Sequence, residues 1–519
     1  MKRRNFLQAS SAVSIPFLLN GFSLSAMPKP AFFNSINNSS DRVLVLIQLN
    51  GGNDGLNTLI PMDQYDKLAN VRSNIILPEN SLLSLDDKLA LHPNMSGIRS
   101  VFDDAKATFI QSVAYPNQNR SHFRSTDIWT SGSAADVFET TGWLGRHFGS
   151  LHPTFPTDFP NEDYPDPFAI TIDNIVSETC QGVGSNFSMA FTDPFALSPI
   201  DESGQSETPD SPYGVELAFV RQAIAQSNAY SGTILEAANN GTNIANYPTE
   251  NQLASHLRTV AQLISGGLGT KVYVVNIGGF DTHAGQVVAG NPQQGVHANL
   301  LQTLSDAVEA FMRDLQQLGL DQRVIAMTFS EFGRRIRSND SVGTDHGTAA
   351  PLMVFGSCVN PGIIGENPEI SEDVSVQEGV AMQYDFRSIY GSILMDWFEV
   401  PEDQVRSLLY DGFQYIPILQ PCKTTSTIDL SGFGESIESH NFPNPFENWT
   451  NIAFESKGER MRVSVFDDLG SEIQLLSDQF FPAGEHRLRF EAHHLPAGHY
   501  YYRIQSAQRQ KTKLMVKIR

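Results

Sequence analysis

Cysteine is scarce: the 519-residue chain has three, Cys180, Cys358 and Cys422, far apart and without a C-x-x-C pair. That spacing implies neither a disulfide framework nor a thiolate zinc site, and an odd number leaves at least one thiol without an intramolecular partner. No catalytic role falls to any of them. Cationic residues are also in the minority, with 35 Lys and Arg against 57 Asp and Glu, a formal net charge of -22 and no long basic cluster. Such a surface repels polyanions, so no nucleic-acid partner is expected, whereas cation binding is compatible with it. After the N-terminus no apolar run approaches the roughly 18 residues needed to cross a bilayer, so the mature chain is expected to have no membrane span.

What is present is a globular composition, 40% hydrophobic and 18% charged, in a chain too long for one compact core. Two or more domains are expected. Residues 1–26 combine a basic start, an apolar stretch and small residues at Ser23, Ser25 and Ala26, the pattern of a cleaved export signal. Arg3 and Arg4, followed by Asn5, Phe6 and Leu7, resemble the twin-arginine motif; an ordinary secretory signal is the other reading.

From about Asn441 onward the texture changes to short alternating strands separated by turn residues, beginning at the F-P-N-P-F run Phe442 to Phe446. Residues 460–466 alternate apolar and polar, Asp467 to Gly470 form a turn, and Pro482-Ala483-Gly484 and Pro496-Ala497-Gly498 precede further strands, the last over Lys511 to Ile518. A small antiparallel β-sandwich over 441–519 fits, as would a generic adhesive or carbohydrate-binding module. The P-N-P opening, D-x-x-G turn, P-A-G-x-Y step and basic end resemble the C-terminal sorting domain of type IX secretion. Together with the twin-arginine-like start, that resemblance implies two export machineries as partners, twin-arginine and type IX, with periplasmic transit and then a cell-surface or secreted destination.

Between about Asp41 and Pro421 buried-strand runs alternate with amphipathic helices, which predicts an α/β domain with a doubly wound, mostly parallel sheet. Val43 to Leu49, Val272 to Ile277 and Val324 to Phe329 read as strands, and Leu300, Leu304, Ala307, Val308, Phe311, Leu315 and Leu318 recur at helical spacing. The stretch from Leu151 to Tyr213 breaks the rhythm and reads as an inserted cap.

Ligands of open α/β sheets bind beyond the carboxyl ends of the strands, so the polar residues after each run are the candidates. They are Gly51 to Thr58, Arg120 to Phe123, Gly278 to His283, Ser330 to Arg335 and Thr344 to Thr348. Carboxylates and imidazoles gathered from several strand ends suit a divalent metal, zinc foremost, with manganese, iron or calcium as alternatives and one or two ions. Singly, each cluster has a structural reading: Asp281 with His283 as a turn, Glu331 with Arg334 as a salt bridge, Asp345 with His346 as a helix cap.

These clusters, with Leu91-His92-Pro93 and Gly142 to Arg146, resemble the bacterial domain-of-unknown-function family 1501, grouped with alkaline phosphatases and sulfatases. The resemblance implies an alkaline-phosphatase-like fold and hydrolysis or transfer of phosphate or sulfate esters by two metals and a Ser, Thr or modified Cys nucleophile. It implies Asp281, His283 and His346 as ligands of one ion and Asp54, or less readily Asn50, as a ligand of a second. Glu331 takes the place of an aspartate that a histidine should follow, but Phe332 follows it; His122 or Asp345 would then have to complete the second position, or that ion is weak or absent. Thr58 and Ser121 are candidate nucleophiles, with a helix cap the other role for Thr58. Asn57 is a candidate to orient substrate, and Arg124, Arg146 and Arg334 are candidates to clamp an anionic oxygen of a small-molecule or polymer substrate. A non-catalytic surface protein on the same fold, and a metal-free carboxylate glycosidase, are the competing functions.

Overall fold

The computed structural model describes residues 41–197 and 212–422 of the larger part, and 437, 439–444, 446–466, 472–506 and 510–518 of the C-terminal part. The expected export signal lies outside the described residues, apart from two-residue strands at Leu18–Leu19 and Phe22–Ser23 that pair antiparallel. The chain divides into two compact units, Met1–Lys423 and Thr424–Arg519.

In chain order the main strands of the first unit are β1 (Val43–Leu49), β2 (Ala107–Ala114), β3 (Ala169–Ile172), β4 (Ser188–Phe191), β5 (Val272–Ile277), β6 (Val324–Phe329), β7 (Ala350–Phe355), β8 (Gly362–Ile364) and β9 (Tyr384–Asp385). They form one nine-stranded sheet ordered β8-β2-β7-β6-β1-β5-β3-β4, with β9 also pairing with β2. Every pairing is parallel except those of β7, which runs antiparallel to both β6 and β2. The expected doubly wound, mostly parallel sheet is present.

Strand period decides which helices cover which face. Val43, Val45, Ile47 and Leu49 of β1 point into one core, under α1 (Ser96–Asp103), α4 (Pro212–Asn240), α5 (Gln252–Ser265) and α6 (Val296–Gln317). Leu44 and Leu46 point into the other, which also takes Trp143 and Leu144 of α3 (Trp143–Leu151), Trp129 of α2 (His122–Ser131) and Trp397 of α7 (Phe386–Phe398). A strand buried on both faces must be apolar at every position, and β1 nearly is.

Residues 151–213 correct an expectation. They are not simply an insert, because β3 and β4 are strands of the main sheet, β3 pairing with β5 and β4 with β3. Two four-residue strands, flanked by Pro, Asp and Ser, are too short for their pattern to stand out from loop sequence. Residues 198–211 lie outside the described residues.

Cys358 and Cys422 form a disulfide across a sequence separation of 64, and Cys180 is free and buried, its thiol pushed up to about 12 by burial. The sulfur accounting therefore holds for the unpaired thiol, but one crosslink exists that spacing did not reveal. Closing a loop of 64 residues restricts the unfolded chain. Cys422→Ser should accordingly lower unfolding free energy by about 4 kcal/mol. Denaturant melts of the variant and of the reduced wild type should coincide; an unshifted midpoint in both would remove the crosslink from the stability account.

The second unit holds two antiparallel sheets. Ser439–Phe442, Trp449–Ser456 and Gly484–Glu491 make the first; Glu459–Phe466, Glu472–Phe481, Gly498–Gln505 and Gln510–Lys517 make the second. Ile452, Phe454 and Phe490 from one and Met461, Val463, Tyr502 and Met515 from the other share one buried cluster, as a sandwich requires. The expected turn at Asp467 to Gly470 lies outside the described residues.

Candidate metal centre

Strands β1, β5 and β6 are mutually parallel, so the loops after Leu49, Ile277 and Phe329 leave the same edge of the sheet. The loop after β2 and the segment entering the antiparallel β7 meet that edge too, because β2 and β7 pair antiparallel. Five polar clusters thus converge through topology alone. Their approach is close: a Cβ on Gly51 would lie 2.3 Å from Asp281 N, and one on Gly52 would lie 2.4 Å from the Phe332 ring, and both glycines have positive φ.

At the centre stands the Asp281 carboxylate. His283 Nε2 and His346 Nε2 each lie 3.2 Å from its Oδ1, and His122 Nε2 lies 3.5 Å from its Oδ2. The Nε2 atoms of His283 and His346 are 2.9 Å apart. His122, Asp281 and His346 offer ligand atoms within 4.8 Å of one another.

The far nitrogen of each imidazole is committed to an oxygen that can only accept. His122 Nδ1 meets Glu331 Oε1 at 2.8 Å, His283 Nδ1 meets Asp345 Oδ1 at 2.9 Å and His346 Nδ1 meets the Arg120 carbonyl at 2.8 Å. In the neutral rings Nδ1 therefore carries the proton and Nε2 is a bare lone pair. Three such lone pairs and a carboxylate facing one another repel unless a cation or an added proton lies between them. Carboxylate or carbonyl behind each ligating histidine is also how metal-binding imidazoles are oriented. This donor set fits a divalent cation.

Charges around the centre are steered accordingly. Burial alone would raise the Asp281 pKa, but the hydrogen bond from Arg334, the bond His346 donates when its ring is protonated, and the neighbouring positive charges outweigh it and hold it at about 2. Burial likewise works against Asp345 ionising and is outweighed by hydrogen bonds from His283 and Asn339 and the charge of Arg335. His346 is pushed down by burial, against the raising effect of its bonds to the Arg120 carbonyl and Asp281. Both effects favour a carboxylate and a neutral ring, the forms that bind metal.

Asp281, His283, His346 and His122 come together as ligand candidates, with Glu331 and Asp345 behind the rings. Asp54 does not join them. It is fully buried and held by Arg72 Nη1 at 3.0 Å and by Gln286 Nε2 at 2.6 Å, so a guanidinium stands where a second ion was expected. Phe332, buried, lays its ring 4.6 Å from that of His346 and 5.0 Å from that of His122, walling the centre.

Several other candidates are engaged by the fold itself. Thr58 is buried, bonded to the Asp54 carbonyl and Asn53 Oδ1, and it ends the 3-10 turn Gly55–Asn57 ahead of a strand, so no helix starts there. Asn57 bonds Arg72 and the Ile75 carbonyl. Arg334 is wholly buried, donating to the carbonyls of Gly51, Gly52, Phe280 and Thr344 and to Asp281, so it staples these loops together. Arg124 donates to the carbonyls of Ala134, Ala135 and Val137, and Arg146 to those of Leu408, Thr141 and Ser131. Ser121 differs: it is exposed at the N-cap of α2, beside His122, and its side chain makes no capping bond. Two residues that motif reading passed over also lie here, Arg335, which pairs with Asp345 at 3.0 Å, and Arg120. Burial, and after it the nearby charge of Arg335, lowers the Arg120 pKa. Their place inside the clusters R-S-H and F-G-R-R was the available signal.

Beneath the centre, Asp54, Arg72, Asn53 and His297 form a buried polar layer, with the ring of His92 6.2 Å from that of His297. Burial, and then each other's proximity or neighbouring cations, lowers the pKa of His92 from 6.5 to about 3 and of His297 to about 4. Because the folded values lie below the unfolded one, stability is complete above 6.5 and is lost as pH falls toward them. At pH 5 each histidine should cost about 2 kcal/mol. Melting temperatures taken with metal chelated should drop between pH 7 and 5, with a shallower drop for His297→Gln; a flat profile would contradict the neutral buried pair.

Residues 440–518 match a secretion system C-terminal sorting domain. Solved structures similar to the chain include a sulfatase from Pseudoalteromonas sp. (10% identity, 90% of this chain and 88% of that one, TM-score 0.32). They also include a protein in the alkaline phosphatase superfamily from Vibrio parahaemolyticus (8%, 81% and 76%, TM-score 0.32). A third is a phosphonate monoester hydrolase from Silicibacter pomeroyi (10%, 92% and 89%, TM-score 0.29). No curated protein matches. Residues 41–387 match the family described as protein of unknown function (DUF1501), and the chain belongs to it.

Proposed function

We propose that the chain is an exported, metal-dependent hydrolase of phosphate or sulfate esters, working at a centre that holds one ion through Asp281, His283, His346 and His122. The observation that carries this reading is the convergence of three imidazole lone pairs on one carboxylate, each ring fixed from behind by an acceptor. Nitrogen-rich ligation favours zinc over calcium.

Asp281 pairs with Arg334 and Asp345 with Arg335, Glu331 lies behind His122, and Arg120 stands near Arg335 without a carboxylate of its own, three carboxylates and three guanidiniums in all, so a bound divalent cation leaves the neighbourhood positive. An anionic ester suits that excess and a neutral glycoside does not. When bound, the ion supplies Lewis acidity toward an ester oxygen or an attacking hydroxyl. The chain's own part is to keep Asp281 ionised, to hold each ring from behind so that Nε2 faces the centre, and to present the exposed Ser121 hydroxyl next to His122 as the candidate nucleophile. The sorting domain supports action outside the cell.

The test is turnover of aryl phosphates and aryl sulfates by the full chain at one zinc per chain. Activity should vanish on chelation and return with zinc. Ser121→Ala should lower kcat about a hundredfold or more with zinc retained if the hydroxyl attacks. No turnover of any ester at full occupancy would defeat the proposal and leave a metal-binding surface protein.

A further inference from the structure

We infer that Arg120 is the residue that grips the anionic group of the substrate at this centre. The inference rests on the proposed ester chemistry and names the side chain that recognises its charge.

The Arg120 backbone is tied to the centre from two sides. Its carbonyl is the oxygen behind His346, at 2.8 Å from Nδ1, and two residues on in the chain comes His122. Its guanidinium is half-buried beside that of Arg335 and, among the described residues, has neither an ion-pair nor a hydrogen-bond partner. The other arginines of these loops are committed. Arg124 and Arg146 are spent on carbonyls, Arg334 on Asp281 and the surrounding backbone, Arg335 on Asp345. Half-burying a guanidinium next to another without a carboxylate is unfavourable unless a ligand brings the missing charge.

The geometry of the side chain says which ligand. A guanidinium offers a planar fork of N–H donors that matches two oxygens of a tetrahedral oxyanion, which a phosphate or sulfate ester presents. A neutral amide or sugar hydroxyl would leave the charge uncompensated.

The experiment uses the zinc-loaded full chain, free of excess zinc, titrated with inorganic phosphate in a calorimeter beside ester kinetics. Arg120→Met should bind phosphate roughly tenfold to a hundredfold more weakly, with zinc per chain and melting temperature unchanged. Arg120→Lys should recover part of the loss, since it restores charge but not the fork. With esters, Arg120→Met should raise KM more than it lowers kcat. Unchanged phosphate affinity in Arg120→Met, no phosphate binding by the wild type, or phosphate binding that survives chelation would each overturn the assignment. The two proposals fail separately. A wild type that binds phosphate through Arg120 yet cleaves no ester keeps the clamp and loses the hydrolase, whereas ester turnover with unaltered KM in Arg120→Met keeps the hydrolase and loses the clamp.

Discussion

Asp281→Ala should strip the chain of zinc at micromolar free metal and take ester turnover to background. Asp281 is the one carboxylate that three imidazole nitrogens approach, so its loss removes both a ligand and the negative charge that balances the ion. His346→Ala should do nearly as much. Asp345→Asn and Glu331→Gln act one step back, through the rings they orient, and should weaken zinc binding by roughly tenfold to a hundredfold. Folding should survive Asp281→Ala, because Arg334 keeps its backbone acceptors at Gly51, Gly52, Phe280 and Thr344. Equilibrium dialysis against zinc, with circular dichroism as the folding check, decides the matter. Wild-type zinc content in the folded Asp281→Ala and His346→Ala proteins would eliminate the centre as described.

The second large effect is on stability, and it separates a structural carboxylate from a ligand. Arg72→Met should cost about 3 to 5 kcal/mol, since it leaves the Asp54 charge buried and without its guanidinium. Both partners are almost wholly inaccessible, and Arg72 also holds the carbonyls of Arg335 and Ile336. Zinc content per folded chain should stay at the wild-type level. Were Asp54 a ligand of a second ion, as its place after the first strand suggested, Arg72→Met should instead raise metal uptake with little change in the denaturation midpoint. That result would reverse the assignment of the pair.

How far the sequence could be read differs between fold and centre. The runs at β1, β5 and β6 are apolar at nearly every position because helices cover both faces, and such runs announce a parallel sheet by themselves. Asp281, His283 and His346 were legible for the same reason: loops after parallel strands must share an edge. What could not be read was the assignment of charged partners. Asp54 and Asp281 both follow a strand and a glycine-rich turn, yet one meets Arg72 from 18 residues on and the other faces three histidines. Arg334 looked available beside Arg335, but only three-dimensional closure shows that five acceptors surround it. The β3 and β4 strands were missed because four residues carry too little periodicity, and the Cys358–Cys422 bond because sequence separation says nothing of proximity.

That bond has a mechanical consequence. Cys422 is the penultimate residue of the first unit, so tension applied to the chain from the sorting domain enters the unit there. The crosslink diverts the load to Cys358, three residues beyond the end of β7, and the intervening segment with α7 is bypassed. Without it, a pull would peel residues 416–421 and then work back toward Trp397, opening one face of the core. With it, the force meets a strand held between β6 and β2, and the passenger can be hauled by its tail without unravelling from that end.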